Sequence, residues 1–324
     1  MSGQDFRHVR TGLRWMSAGR RLQSAVMTDA NTAPSDAARS GTQKRKTNWP
    51  AEIRGLLYCV LGVLAVWSFI AKPFYIPSDS MMPGLLVGDR LVVSKYPYGW
   101  SYISISPHVL PFMKGRVLGA MPERGDIAIV TPSKGPHRGE DLIKRVIGLP
   151  GDRIALIEGR LWLNGRPVST RDLGDRLLPI DGNFHCDTND PDPERAFRGF
   201  LGAQVRGADG KAYCRVHVIR ETLPNGRTYL TLDFGRSGED DFAPYTVPPG
   251  HVFLMGDNRD NSADSRVPIA LGGLGGAVPL ENLGGRAEFI TFSLNGNASW
   301  NPLSWWSAFR GGRAGRSLRA TRSG

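Results

Sequence analysis

The apolar residues of this chain gather in one long run near the amino terminus. Residues 56–71 read LLYCVLGVLAVWSFIA without a charge, and a helix of that length extends about 24 Å. Basic residues flank the run and two aromatic rings follow it, which together bring the segment to the thickness of a bilayer. An amphipathic core helix would carry a polar stripe, which this run lacks. The pattern predicts a transmembrane anchor over 55–72.

The charges before this run predict its orientation. A basic cluster at 44–46 and Arg54 precede it, so the positive-inside rule places the amino terminus in the cytoplasm and the rest of the chain outside. A cleaved signal peptide is the alternative, yet no small-x-small cleavage site follows the run. Residues 1–54 are polar and lack periodicity, which predicts a disordered cytoplasmic tail whether translation starts at Met1 or at Met27.

Beyond the anchor, short apolar runs alternate with turn residues. Strands are predicted at 88–95 and 125–130, each starting from a Gly-Asp turn, and at 142–147 and 252–255. Residues 161–168 predict a hairpin, because the Asn-Gly pair at its centre supplies the two positive φ angles of a type I′ turn. The 40 Gly and 23 Pro are typical of a mainly β fold.

Composition divides the part beyond the anchor into three regions. A β core is predicted over 73–170 and 249–299, and the stretch 171–248, rich in Asp, Pro and Gly, is predicted to be an inserted, loop-rich subdomain. Residues 300–324 form a tail rich in Trp and Arg. This tail either rests on the lipid surface or is a disordered basic tail.

The net charge of +11 lies on the two ends of the chain. Residues 1–54 carry ten basic against four acidic side chains, and residues 310–324 carry five Arg and no acid. That leaves 26 basic and 26 acidic residues between them. The body is therefore neutral, and no nucleic-acid partner is predicted.

The three cysteines are consistent with an external body. Cys59 lies in the apolar run, so Cys186 and Cys214 remain in the soluble part. They form either a disulfide, contributing roughly 3 to 4 kcal/mol, or two free thiols. The chain has no Cys-x-x-Cys pair and no His cluster, which argues against a metal site.

A serine just beyond the anchor is the first candidate for chemistry. Ser80 lies in IPSDSMMP, and a serine hydroxyl needs a base to remove its proton. In LIKRVI, residues 142–147, two cations interrupt an apolar strand, so alternation sends Lys144 and Arg145 to opposite faces. A lysine held among apolar atoms can have its pKa lowered to about 5 to 6, and it can then serve as that base. The alternative is a lysine whose amine lies in water.

Five short segments together resemble type I signal peptidase, the bacterial leader peptidase family. They are, in the family's order, residues 77–83, 88–89, 124–126, 144–152 and 256–266. The resemblance implies a mainly β fold, with an antiparallel sheet or barrel tethered by one amino-terminal transmembrane helix. It also implies a serine endopeptidase without a cofactor, on the outer face of the bacterial inner membrane, that removes signal peptides from exported preproteins after Ala-x-Ala sites. We expect a monomer in contact with membrane lipid.

The same resemblance implies roles for single residues. Ser80 is the nucleophile and Lys144 the general base of a Ser-Lys dyad that acts through an acyl-enzyme. The Ser80 N–H and the Ser78 hydroxyl form the oxyanion hole. Ser262 hydrogen-bonds the Lys144 amine and orients it.

Other residues are assigned to support and to substrate binding. Asp264 and Arg266 pair and brace the polar loop at 256–266. The substrate is expected to bind as an extended strand between two strand edges of the enzyme. Its side chains enter shallow pockets that exclude large groups. The candidates to line these pockets are Phe74, Ile76, Leu142 and Ile143, with ordinary core packing as the alternative.

Two features depart from the family pattern. Asp79 stands where many members have Gly, and a carboxylate facing inward would repel the developing oxyanion, so we expect it to face solvent. The glycine-rich stretch 267–278 is longer than in many relatives.

Three other functions are considered. A self-cleaving repressor also uses a Ser-Lys dyad, but it would need a DNA-binding domain where this chain has an apolar run. A specialised peptidase that matures one exported partner has the same chemistry and differs only in substrate range. A membrane-anchored β scaffold without activity is the remaining alternative.

Overall fold

The computed structural model describes residues 48–105, 114–186, 204–297, 299–301 and 303–322. The predicted cytoplasmic tail therefore lies almost wholly outside the described residues.

The amino-terminal helix is α1, Trp49–Phe69. It is long and apolar enough to cross a membrane, and 6% of its apolar window is buried against the protein. It begins six residues before the predicted anchor, since a proline at position 50 is tolerated in the first turn of a helix. It ends three residues before the predicted limit, because the chain enters a strand at Ala71.

A curled antiparallel sheet of seven strands carries the core, in the order β1-β2-β15-β3-β4-β13-β14. Its strands are β1 (Ala71–Tyr75), β2 (Asp89–Ser94), β3 (Ile127–Val130), β4 (Leu142–Gly148), β13 (His251–Met255), β14 (Val278–Pro279) and β15 (Leu283–Ser293). Continuous apolar runs such as Ile127–Val130 are buried along their whole length, which explains their lack of alternation. The mainly β fold is thus confirmed.

Two smaller sheets complete the body. Four strands pair in the order β12-β5-β6-β7, and β16-β11-β10-β8 form a second sheet in which β9 also pairs with β10. Their bounds are β5 (Arg153–Ile157), β6 (Arg160–Leu163), β7 (Arg166–Pro167), β8 (Ser169–Pro179), β9 (Gln204–Arg206), β10 (Ala212–Thr222), β11 (Arg227–Leu232), β12 (Phe242–Thr246) and β16 (Thr321–Arg322). Asn164 and Gly165 join β6 to β7 with φ of 54° and 77°, which confirms the predicted hairpin.

A disulfide joins Cys186 to Cys214. Of the two alternatives left open by the sequence, the structure has the bridge. Both sulfurs lie in a buried apolar cluster that also contains Met82, two residues after Ser80. The disulfide therefore helps to stabilise the apolar cluster in which Met82, close to Ser80, is buried.

The carboxy-terminal segment packs on the body. After a short helix α2, Leu303–Ala308, the chain places Leu318 in the same buried cluster as Ile127. Arg313 Nε donates to Asp89 Oδ1 over 2.8 Å, and Asp89 is fully buried. The interpretation as a disordered tail is therefore wrong for residues 309–322. Three of its five arginines, Arg310, Arg313 and Arg319, form ion pairs with Asp181, Asp89 and Glu288.

Candidate active site

The structure brings Ser80 and Lys144 into direct contact. Ser80 lies in the turn that follows β1, and Lys144 is the third residue of β4. Lys144 Nζ donates a hydrogen bond to Ser80 Oγ over 2.9 Å. The two side chains belong to residues that are 7% and 4% exposed. A hydroxyl and an amine in this arrangement can exchange a proton without an intervening group.

Packing and hydrogen bonds hold the backbone around Ser80. Met81 and Met82 are fully buried and insert into two different apolar clusters. Asn258 N donates to Ser80 O over 3.1 Å, and Asn258 Nδ2 donates to the carbonyl of Asp79 over 3.3 Å. The sequence singled out the polar loop that contains Asn258, but nothing in it distinguished this side chain from its neighbours.

Gly256 lets the polar loop lie against the nucleophile. A Cβ at this position would come within 2.6 Å of Ser80 O and would collide with the side chain of Ser262. Ser262 is buried, and in the part of the chain that the structure describes its Oγ makes no hydrogen bond. Ser262 is therefore close to the nucleophile's backbone, but the expected hydrogen bond to Lys144 is not formed. Ser78 Oγ lies 3.5 Å from Ser80 Oγ.

Burial changes the acid–base behaviour of Lys144. It lowers the pKa of the amine from 10.5 to about 8, because the charged form loses hydration, while Asp264 and Asp79 act in the opposite direction. Roughly a tenth of such amines are neutral at pH 7, and the fraction grows with pH. Lys144 is therefore able to accept a proton under ordinary conditions.

The predicted pair of Asp264 and Arg266 is present. Arg266 Nη2 and Nε donate to the two oxygens of Asp264 over 2.9 and 3.0 Å, and Gly256 N donates to Asp264 Oδ2 over 2.9 Å. Burial alone would raise the pKa of Asp264, but Arg266 and the backbone N–H groups hold it below its ordinary value. The loop thus keeps a negative charge near Lys144. Among the described residues, no group of His, Cys, Asp or Glu side chains could hold a metal ion.

The expectation that Asp79 faces solvent is wrong. The residue is 8% exposed, and its Oδ2 accepts a hydrogen bond from Asn261 Nδ2 over 2.9 Å. The polar loop covers Asp79 and supplies the donor. The carboxylate also lies close enough to Lys144 to stabilise its charged form. Asp79 is therefore part of the surroundings of the dyad.

The structure brings together three of the four predicted pocket residues. Phe74, Ile76 and Ile143 pack in one apolar cluster, whereas Leu142 packs in another with Val130. The separation follows from strand geometry, because consecutive residues of β4 point to opposite faces. Phe74 is partly exposed, so this cluster reaches the surface.

Two strand edges near the dyad are open. β1 ends the seven-stranded sheet and pairs with β2. β4 pairs with β13 from Arg145 to Gly148, so on that side residues 142–144 have no strand partner in the described chain. Lys72 Nζ lies 3.8 Å from Asp141 Oδ2, which places the two edges side by side. An extended peptide could add to either edge by backbone hydrogen bonds.

Comparison with known proteins shows the family of this chain. The chain is 33% identical to signal peptidase I of Rickettsia typhi over 83% of this chain and 86% of the relative, and 32% identical to that of Rickettsia canadensis over 79% and 82%. A crystal structure of a signal peptidase I from Enterococcus faecalis aligns with 52% of this chain and 97% of that chain, at 21% identity and a TM-score of 0.25. The sequence profile described as signal peptidase, peptidase S26, matches residues 51–292. The chain therefore belongs to the signal peptidase family, peptidase S26, and is a membrane-anchored serine peptidase that removes signal peptides from exported proteins.

Proposed function

We propose that Ser80 and Lys144 are the catalytic dyad of this peptidase and act through an acyl-enzyme. The observation that carries the proposal is the 2.9 Å hydrogen bond between the Lys144 amine and the Ser80 hydroxyl, both buried. Ser80 Oγ attacks the scissile carbonyl carbon while Lys144 takes its proton. That proton passes to the leaving amine as the C–N bond breaks.

The second half of the reaction uses the same amine. Lys144, neutral again, takes a proton from a water molecule whose oxygen attacks the ester carbonyl. The bond to Ser80 Oγ breaks, Ser80 recovers a proton from Lys144, and the signal peptide leaves with a new carboxylate. A single base with a pKa of about 8 can serve both steps, because it returns to the neutral form after each proton transfer.

The negatively charged oxygen of each tetrahedral intermediate must be stabilised by hydrogen-bond donors. We assign the Ser80 N–H and the Ser78 hydroxyl to this task. Ser78 is partly exposed, and its Oγ lies 3.5 Å from the nucleophile, so it can turn toward a bound carbonyl. Loss of one such donor costs about 3 to 4 kcal/mol in other acyl-transfer enzymes.

Support for the dyad comes from the polar loop. We assign Ser262 to orient the Lys144 amine when substrate is bound, because its buried hydroxyl lies against Gly256 next to the nucleophile. Asp264 and Arg266 hold the loop in place through their ion pair. These three residues position the dyad and do not touch the substrate.

The substrate is proposed to bind as an extended strand between the edges of β1 and β4. Phe74, Ile76 and Ile143 form an apolar cluster at this place, and Leu142 lies at the edge itself. Shallow apolar pockets accept Ala and exclude larger side chains, which would give cleavage after Ala-x-Ala.

The position of the site relative to the membrane is proposed from the charges before the apolar run. We propose a single span with a cytoplasmic amino terminus, because basic residues at 44–46 and Arg54 precede that run. The catalytic body would then lie on the outer face, with β1 starting two residues after α1 and leading directly to Ser80. Trp300 and Trp306 are largely exposed, at 101% and 82%, and are proposed to rest on the lipid surface. The active protein is proposed to be a monomer.

The test is cleavage of a preprotein in detergent by the wild type, Ser80→Ala and Lys144→Ala. Ser169→Ala and Lys211→Ala are matched controls, because both residues are exposed on the body. We expect both dyad variants to lose cleavage and both controls to retain it, with amino-terminal sequencing of the product placing the cut after Ala-x-Ala. Full cleavage by either dyad variant would refute the assignment. A panel of preproteins distinguishes a general peptidase from one that matures a single partner.

A further inference from the structure

The carboxy-terminal segment bridges two sheets and forms one wall of a half-open cavity. On one side, Ile290 N of β15 donates to Arg316 O over 3.0 Å, and Leu318 N donates to Glu288 O over 2.8 Å. On the other side, Thr321–Arg322 of β16 pairs with β11. Between these attachments lies a cavity of about 610 Å³. Its size falls within the range of small-molecule sites, roughly 300 to 1,000 Å³.

This cavity is separate from the dyad. Its floor includes Arg145, which follows Lys144 on β4 and therefore points to the opposite face of the sheet. Neither Ser80 nor Lys144 contributes to the lining. A ligand in this cavity would not compete with a peptide at the dyad for the same space.

Arginines dominate the charge of the lining. Five of them line the cavity, together with one carboxylate, that of Asp257; the arginines are Arg145, Arg220, Arg316, Arg319 and Arg322. Thr228, Ser317 and Thr321 add hydroxyl-bearing side chains to the lining. The lining therefore offers hydrogen-bond donors and a positive potential.

Two of the arginines already have acidic partners. Arg145 donates to both oxygens of Asp257 over 2.6 Å and to Gly125 O over 2.7 Å. Arg319 Nε donates to Glu288 Oε2 over 2.9 Å. Their charges are compensated within the protein, so they contribute little net potential.

The charges of the other three arginines have no acidic partner among the described residues. Arg220, Arg316 and Arg322 are exposed and make no ion pair in the part of the chain that the structure describes. Three like charges around one concave surface repel each other and raise the local positive potential. An anion in the cavity would relieve this repulsion, and the walls would reduce its screening by salt.

We propose that this cavity binds a phosphate-bearing ligand, supplied either by the headgroup of an anionic phospholipid or by a soluble phosphate compound. A guanidinium group binds two phosphate oxygens at once with matched geometry. A phosphate has enough acceptor oxygens and charge to engage Arg220, Arg316 and Arg322 together, while the neighbouring hydroxyls bind the remaining oxygens.

The experiment uses the full chain in neutral detergent at physiological ionic strength. Isothermal titration is carried out with tripolyphosphate as the soluble probe. In a second series, dihexanoyl phosphatidylglycerol is compared with zwitterionic dihexanoyl phosphatidylcholine. The cavity variant is R220Q/R316Q/R322Q, and the charge-matched control is R153Q/R166Q/R176Q, whose three arginines are exposed and lie outside the cavity.

We expect the wild type to bind one of the anionic probes, and the cavity variant to bind it at least about tenfold more weakly. The control should change the affinity by less than about twofold. If the cavity variant loses binding of tripolyphosphate, the ligand is a soluble phosphate compound. If it loses the preference for phosphatidylglycerol over phosphatidylcholine, the ligand is a lipid headgroup. Equal losses in both triple variants, or no binding by the wild type, would overturn the proposal.

A second variant separates binding from folding. Ala320→Trp places a large side chain in the cavity and keeps all five guanidinium groups. It should weaken binding as strongly as the cavity variant, while thermal unfolding shows that the body remains folded. Unchanged affinity of Ala320→Trp would mean that the anion binds elsewhere on the surface.

Discussion

Lys144 and Arg145 are neighbours on β4, carry the same charge and are equally buried, with 4% of each residue exposed. Their surroundings differ. Arg145 has a carboxylate within 2.6 Å and a backbone carbonyl, which accept hydrogen bonds from its three guanidinium nitrogens. Lys144 has the hydroxyl of Ser80 and carboxylates only at longer range.

This difference determines what each cation can do. For Arg145, burial alone would lower the pKa, but Asp257 outweighs this effect and raises the pKa above its ordinary value, so the side chain stays charged. For Lys144, burial prevails and the pKa falls to about 8. A buried cation with a contacting carboxylate is a structural element, and one without such a partner is able to transfer protons.

The largest loss of cleavage is expected when Lys144 is replaced by arginine, the residue that follows it on β4. Lys144→Arg keeps a positive charge but provides a group that does not lose its proton. We expect cleavage of a preprotein to fall roughly ten-thousand-fold or more, as when a dyad member is removed. Lys211→Arg, at an exposed position, is the control and should cleave normally. Substantial cleavage by Lys144→Arg would mean that another group is the base.

Removing the other cation should affect stability. Arg145→Met leaves Asp257 buried without its partner, which costs about 3 to 5 kcal/mol in comparable cases. Thermal unfolding in detergent should therefore show a lower Tm. The double variant Arg145→Met/Asp257→Leu removes both charges and should recover most of the loss. A single variant as stable as the wild type would contradict a structural role for this pair.

The sequence predicted a large part of this arrangement. Alternation in LIKRVI placed the two cations on opposite faces, and the family resemblance assigned the base to Lys144. The apolar run predicted α1, and Asn164-Gly165 predicted the hairpin that the structure confirms. Because the family is that of the signal peptidases, the scaffold and repressor interpretations are wrong.

Other features depended on contacts that are distant in the sequence. The partner of Arg145 is 112 residues away, and the partner of Arg313 is 224 residues away. No local pattern shows which of many acids meets which base after folding. The error at Asp79 has the same origin, because the loop that covers this residue lies about 180 positions later, with its donor at Asn261.

The pH dependence of cleavage measures the pKa of Lys144 directly. The base must be neutral, so the rate should rise with pH and level off above a midpoint near 8. Well below the midpoint, kcat/KM should fall by about tenfold per pH unit, so that at pH 6 it is roughly a hundredth of its plateau value. A midpoint near 10 would show that Lys144 is hydrated like an ordinary lysine.

A smaller shift of the same midpoint tests the role of Asp79. Its carboxylate stabilises the charged form of Lys144, together with Asp264 and Asp257, and against Arg266. Asp79→Asn removes that charge with little change of shape, so the pKa of Lys144 should fall and the midpoint should move to lower pH. Asp241→Asn, at an exposed residue outside the site, is the control and should leave the profile in place. An unchanged midpoint in Asp79→Asn, with the plateau rate lowered, would mean that Asp79 acts only through its hydrogen bond to Asn261. The pKa of Lys144 would then be set by burial and by the other charges near the amine, those of Asp264, Arg266 and Asp257.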